Sequence, residues 1–326
     1  MSLAVGALLV AATLGICSVE LGANSATTQR WAQPRGPSSP PPALLSAEIA
    51  SALHQRELPS SLAPPLGIAT SEKLQPSTFP GRCILTGLDQ TSVPICSFGD
   101  SSAARTMVLL GDSQAEMFIA AFDKAASELG WRLVVLEKPA CPPWEKSFPL
   151  PSGGPFPACT AFHRFTATTL ARIHPQVVVM AAWTHWRSNE DAPAFDSLIS
   201  TVRAAGAEPV LLTPIPSYAR AGLTGDPISC LQTHPNDIQT CSVSLAATHT
   251  NFAEPDRAMG QVATQRHAPV IDISPLFCVR GSCPLIVAER LVMRDKYHMT
   301  ETWSHYIGTS LASLLAPVLP AQSPRS

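Results

Sequence analysis

Short apolar runs recur through the middle of the chain, and each is followed by a stretch with apolar residues at helical spacing. Thr106 to Leu110 (TMVLL) is one such run, ended by Gly111, as a buried parallel strand should be. Met117, Phe118, Ala121, Ala125 and Leu129 then mark one face of a helix over Gln114 to Leu129, and Gly130 stops it. Arg132 to Leu136 (RLVVL) reads as the second strand, and a helix follows from about Cys159 to Ile173. Gln176 to Ala182 (QVVVMAA) is the third strand. A helix over Pro193 to Ala205 leads through Gly206 to the fourth strand, Pro209 to Thr213 (PVLLT). A helix over about Leu245 to His267 precedes the fifth strand, Pro269 to Ile273 (PVIDI), and Thr300 to Leu315 is the last helix.

Five apolar strands alternating with helices predict an α/β fold, a three-layer, doubly wound parallel sheet of the flavodoxin-like kind. Right-handed crossovers give the strand order 2-1-3-4-5. Ligands bind such sheets beyond the carboxyl ends of the strands, at the switch between the first and third. The loops after Leu110 and Ala182 should therefore flank the site.

Outside this region the pattern changes. Met1 to Val19 carries no charge and is near the roughly 20 residues that span a bilayer. Residues 1–23 read as a signal peptide, a single anchor or the last span of a longer membrane protein, with a buried core helix as the plain alternative. Cys17 follows Ile16, where a lipoprotein signal wants a small residue, so it reads as an apolar membrane residue. Residues 24–80 are rich in Pro, Ser, Gly and Ala and read as an extended linker, with a short amphipathic helix an option near Ala43 to Glu57. The domain is expected over residues 81–316, with a flexible tail over 317–326.

Composition narrows the function. The 326 residues carry 22 Lys and Arg against 24 Asp and Glu, a net charge of -2, which excludes a general nucleic-acid binder. Nine cysteines are many for a cytosolic protein and ordinary for an exported one. Without Cys17, sequential pairing joins Cys83 with Cys96, Cys141 with Cys159, Cys230 with Cys241, and Cys278 with Cys283. Each pair brackets an irregular stretch, where a disulfide lowers loop entropy. Zinc is the rival reading, but there is no C-x₂-C pair. His163, His185 and His298 lack the HExxH spacing of a catalytic metal site, so neither metal nor cofactor is expected.

The loop after the first strand reads Gly111-Asp112-Ser113-Gln114. A Ser at this turn has an exposed hydroxyl at a helix N-terminus, where backbone N–H groups can stabilise an oxyanion. The plain alternative is that Asp112 or Ser113 caps the helix. A second GDS, Gly99-Asp100-Ser101, follows no apolar run and reads as loop. Asp295-Lys296-Tyr297-His298 precedes the final helix. Asp and His three apart in a turn can face one crevice, His298 taking the Ser113 proton and Asp295 orienting its imidazole. A surface Asp and a capping His are the alternative.

These two elements together resemble the SGNH (GDSL) hydrolase superfamily. Val108-Leu-Leu-Gly-Asp-Ser-Gln-Ala115, Cys141-Pro142-Pro143 and Asp295-x-x-His298-Met299-Thr300 are similar to the periplasmic SGNH domain fused to acyltransferase family 3 membrane proteins. The resemblance implies Ser113 as nucleophile, His298 as base and Asp295 as its partner. It implies O-acetyl transfer or removal on cell-envelope polysaccharide, in or beyond the periplasm. A transferase with at most one span needs a separate membrane partner as acyl donor, unless the chain is a fragment of a longer protein. A non-catalytic carbohydrate-binding module of the same fold is the alternative function. Three departures stand out. Gln114 replaces the usual His, and no second-block Gly is assignable. The third-block Asn has no match in Ala182-Trp183-Thr184-His185-Trp186. Gly111, Asp112, Gln114, Trp183 and His185 are expected to line the crevice or serve the oxyanion. Trp183, His185 and Trp186 form either an aromatic platform for a sugar ring or the end of the core.

Overall fold

The computed structural model describes residues 39–72, 83–84, 87–146, 148–183 and 188–320. In chain order the elements begin with α1 (Pro42–Ala52), β1 (Phe98–Gly99), β2 (Thr106–Gly111), α2 (Ser113–Leu129), β3 (Arg132–Glu137) and α3 (Pro157–Ile173). Then come β4 (Val177–Ala181), α4 (Ser188–Ala204), β5 (Glu208–Leu212), α5 (Pro227–Thr233), β6 (Val243–Ser244), α6 (Leu245–Asn251) and α7 (Ala253–Gln265). The chain closes with β7 (Val270–Ile271), β8 (Ser282–Cys283), β9 (Ile286–Val287), β10 (Arg290–Leu291), α8 (Glu301–Tyr306) and α9 (Gly308–Leu315).

The main sheet has the order β1-β3-β2-β4-β5-β7, and all its pairings are parallel except β1 with β3. The predicted order 2-1-3-4-5 is therefore the observed one, with β1 added at an edge. β6 pairs with β8 and β9 with β10 in two small ribbons. The central strands are uniformly buried because helices cover both faces: every residue of β2 and of β4 is buried. One apolar cluster joins Met107, Leu109, Phe118 and Phe122 to the last helices, and the other joins Val108, Leu110, Phe162 and Phe195.

Glycine is required at two close approaches. A Cβ on Gly111 would lie 1.7 Å from the Ala181 carbonyl oxygen, so only glycine lets β2 reach β4 at the carboxyl end. A Cβ on Gly308 would lie 2.7 Å from the Lys124 side chain, where α9 meets α2.

Several expectations change in detail. The helix over Leu245 to His267 is two helices broken at Phe252, and the last helix breaks between α8 and α9 at Ile307. The fifth strand contributes only Val270 and Ile271 to the ladder. Gly99 of the second GDS ends the edge strand β1 with φ +66°.

The largest correction concerns the linker. Residues 39–72 are not an unpacked linker but an arm laid on the domain. Leu45 and Ile49 of α1 are buried in the main apolar cluster. The Glu48 carboxylate accepts a 2.6 Å hydrogen bond from the Tyr306 hydroxyl, and Ser39 Oγ accepts one from the Thr309 N–H. Ala63 pairs with the β10 segment, donating its N–H to Glu289 and accepting from Leu291. Prolines allow this because they stand before or at the first turn of α1, where the missing N–H is not needed. At the other end Ala316–Val318 form a 3₁₀ turn, and Arg105 donates to the Pro320 carbonyl, so the tail is held to that point. The segment 1–23, His185 and residues 321–326 lie outside the described residues. Among the described residues no helix is long and apolar enough to cross a membrane.

All four sequential cysteine pairs are disulfides, Cys83–Cys96, Cys141–Cys159, Cys230–Cys241 and Cys278–Cys283. His163 lies near the second pair and His234 near the third, groupings that resemble metal sites. Sulfurs joined to each other supply no thiolate, so neither group offers a Cys-ligated zinc site.

Candidate active site

Ser113 is the first residue of α2, directly beyond the carboxyl end of β2. Asp112 caps the helix: its Oδ1 accepts the Gln114 N–H at 2.8 Å. Its Oδ2 accepts the Trp183 N–H at 2.9 Å, so one carboxylate bridges the loops after β2 and β4. Capping thus belongs to Asp112, which frees the Ser113 hydroxyl to face outward. Burial pushes the Asp112 carboxyl up to about 6, against the opposing pull of those two N–H groups and of His298. The Ser113 N–H is among the helix's orphan donors, the place where an oxyanion would be held.

His298 arrives from the other side of the crevice. Its Nε2 lies 2.9 Å from Ser113 Oγ, and its Nδ1 lies 2.9 and 3.0 Å from the two Asp295 oxygens. The Asp295 carboxylate is itself fixed by its own turn, accepting the Tyr297 N–H at 2.7 Å and the His298 N–H at 2.9 Å. Arg294 donates its N–H to the His298 carbonyl, and Met293 bridges to Met299, closing the turn. Thr300 then caps α8 and also donates to the Leu291 carbonyl. The two residues are therefore held by a closed turn seated on a helix. Burial alone would raise the Asp295 pKa. The hydrogen bond and charge of His298, the Tyr297 N–H and the Arg294 cation outweigh that and hold it below the ordinary value. The His298 side chain is 20% exposed, so it is not sealed in the core.

Three features were not legible as site chemistry. Gln114, unlike the His expected there, is buried, and its Nε2 donates to the Tyr297 carbonyl at 3.2 Å. It ties the start of α2 to the turn that carries Asp295 and His298. Arg294 is buried with Nε 3.6 Å from Asp295 Oδ2, and it donates to the Glu72 carbonyl of the arm. Glu72 also accepts from Thr302 in the first turn of α8. An Arg before the Asp and a Glu in a Pro-rich stretch carry no signal until the arm is seen to dock there. Trp183 is 8% exposed, with its ring edge-on to Tyr297 at 5.4 Å and to Phe252 at 6.0 Å. It walls the site from below rather than offering an open face. The loop after β3 turns at Ala140 with φ +58°, a left-handed conformation glycine adopts with less strain.

Residues 82–313, well over half of the chain, match the family described as SGNH domain (fused to AT3 domains). The chain belongs to that family. No curated protein matches this SGNH domain in sequence. Among solved structures it is similar to the periplasmic domain of a lipopolysaccharide acetyltransferase of Salmonella ser. Paratyphi A. That match has TM-score 0.54 and 11% identity, covering 77% of this chain and 93% of the other. An aryl esterase of M. smegmatis follows with TM-score 0.43 and 13% identity, covering 66% of this chain and 100% of the other. A carbohydrate acetylesterase of Sinorhizobium meliloti gives TM-score 0.41 and 12% identity, with coverages of 66% and 100%. At these identities the structural likenesses speak to the fold of the SGNH domain alone. The arm over residues 39–72 precedes the matched range.

Proposed function

We propose that the chain is a serine acyl-ester enzyme that transfers or removes O-acyl groups, acetyl above all, on cell-envelope polysaccharide outside the cytoplasm. The observation that carries this is the relay Ser113 Oγ, His298 Nε2, Nδ1 and Asp295, with both links near 2.9 Å. His298 takes the Ser113 proton as Oγ attacks the acyl carbonyl. The tetrahedral oxyanion forms beside the Ser113 N–H at the positive end of α2. His298 returns the proton to the departing alcohol, which leaves acyl-Ser113. A second hydroxyl then gives its proton to His298 and takes the acyl group, and His298 passes that proton to Ser113 Oγ as it leaves. A sugar hydroxyl makes the step transfer, and water makes it hydrolysis.

Fusion of related domains to AT3 membrane proteins, and the lipopolysaccharide acetyltransferase among the similar structures, favour transfer with a membrane protein as acyl donor. Four disulfides favour an oxidising compartment. The test is hydrolysis of 4-nitrophenyl acetate by the full chain beside Ser113→Ala. A fall of roughly three orders of magnitude or more in kcat/KM is expected from losing the nucleophile. Equal rates overturn the proposal and leave a non-catalytic binding module. Incubation with acetylated and unacetylated polysaccharide then separates acetate release from acetate transfer.

A further inference from the structure

Arg294 is a buried cation one residue before Asp295 in the turn that carries His298. A guanidinium taken out of water needs a carboxylate beside it and acceptors for its N–H groups. Its ion-pair partner is Asp295, with Nε 3.6 Å from Oδ2. A terminal N–H makes a long hydrogen bond of 3.4 Å to the Glu72 main-chain carbonyl, from the arm.

The two Asp295 oxygens are held differently. Both face His298 Nδ1, at 3.0 and 2.9 Å. Oδ1 also accepts the Tyr297 and His298 main-chain N–H groups, so the turn's own backbone fixes it. Oδ2 has the Arg294 cation behind it instead. At 3.6 Å that cation acts by charge rather than by a hydrogen bond. Burial works against an ionised carboxylate here. His298, the Tyr297 N–H and the Arg294 charge outweigh it and hold the Asp295 carboxyl below its ordinary value.

The arm reaches the same turn from three directions. Ala63 pairs with Glu289 and Leu291 just before it. Glu72, at the end of the 3₁₀ turn Leu66–Ser71, meets Arg294 within it through its carbonyl. The Glu72 carboxylate accepts the N–H and the hydroxyl of Thr302 just after it, in the first turn of α8. The carboxylate is thus committed to α8, and that anchorage sets where the Glu72 carbonyl lies. Glu72 stands outside residues 82–313, the range that matches the SGNH family.

We propose that Arg294 is a positioning residue for the Asp295–His298 pair, and that the arm, through Glu72, holds Arg294 in place, so the catalytic turn is completed from outside the SGNH domain. It rests on the reading of Ser113, His298 and Asp295 as an acyl-ester relay. Arg294 acts through Asp295: a fixed, ionised carboxylate keeps the imidazole turned so that Nε2 faces Ser113 Oγ. The experiment uses the full chain, with histidine isotope-labelled, and follows 4-nitrophenyl acetate kinetics and the imidazole N–H signals. Arg294→Met keeps the bulk and removes the charge. It should lower kcat roughly ten-fold or more at unchanged KM, and shift or broaden the His298 Nδ1–H signal. Arg294→Lys returns a charge and should restore most of both, because the contact is not a bidentate one. Glu72→Ala should cause a smaller fall in kcat with the same change in the imidazole signal. Glu72→Gln keeps an acceptor for Thr302 and should behave as wild type. Wild-type kcat and signal in Arg294→Met overturn the proposal, and so does an Arg294→Lys as impaired as Arg294→Met. Should Arg294→Met fail to fold, Glu72→Ala decides: an unchanged kcat and signal overturn the proposal. The imidazole signals are read without substrate, so they report the bracing whether or not the ester is hydrolysed, and failure of the Ser113 chemistry appears separately in Ser113→Ala.

Discussion

The two carboxylates nearest Ser113 are set apart by their surroundings. Asp295 is held ionised by His298, the Tyr297 N–H and Arg294, the condition for orienting and stabilising an imidazolium. Asp112 is buried, and its carboxyl is raised to about 6. Because that value lies above the ordinary one of 3.8, the folded chain keeps a proton that the unfolded chain releases. Its stabilising contribution is complete below about pH 4 and is lost as pH rises to about 6, roughly 3 kcal/mol for the whole shift. Asp112→Asn cannot titrate. Urea unfolding from pH 3 to 7 should therefore show wild type losing about 3 kcal/mol relative to the variant. A difference that does not change with pH overturns this. Ser113, Asp295 and His298 were legible because their spacing and their predicted strand ends agreed. The bridging role of Asp112 was not, since it depends on a backbone N–H from 71 residues away.

Among the elements, the central strands were the most legible. Parallel strands buried on both faces must be apolar throughout, so TMVLL, RLVVL and VVVMA stand out in any register. Of the two-residue strands only β7, inside the apolar run PVIDI, was legible; β1, β6, β8, β9 and β10 were not, because a pair of residues carries no periodicity. The break at Phe252 was hidden for a different reason: its ring fills the space between Trp183 and Arg220, a tertiary demand that local spacing does not express. The arm was misread because prolines and small residues dominate it, while its anchoring rests on a few side chains such as Leu45, Ile49 and Glu48. If α1 is part of the core, Ile49→Ala should cost about 2–5 kcal/mol in urea unfolding. An unpacked arm would show no change.

Over the whole molecule the contacts divide by range. Every disulfide is local, the longest separation being 18 residues. The arm is the opposite: Ser39 and Glu48 meet partners 258–270 residues later in the chain. Contacts of such separation form late, because a long loop must close before they stabilise anything. Pulse-labelled hydrogen exchange during refolding with disulfides intact should show α1 gaining protection together with α8 and α9, after β2 and β4. Protection of α1 before those last helices would contradict this order.

The same long-range closure matters for a chain that is delivered in order from its first residue. The apolar face of Leu45 and Ile49 is made early, yet α9, which packs on α1 together with β9 and Ser274–Leu276, follows some 270 residues later. Until then that face stays available to a chaperone or to a second unfinished copy. A product cut short before α8 lacks the α9 part of that cover. Burial of the arm therefore depends on α9: a chain without that helix leaves part of an apolar face open to proteases.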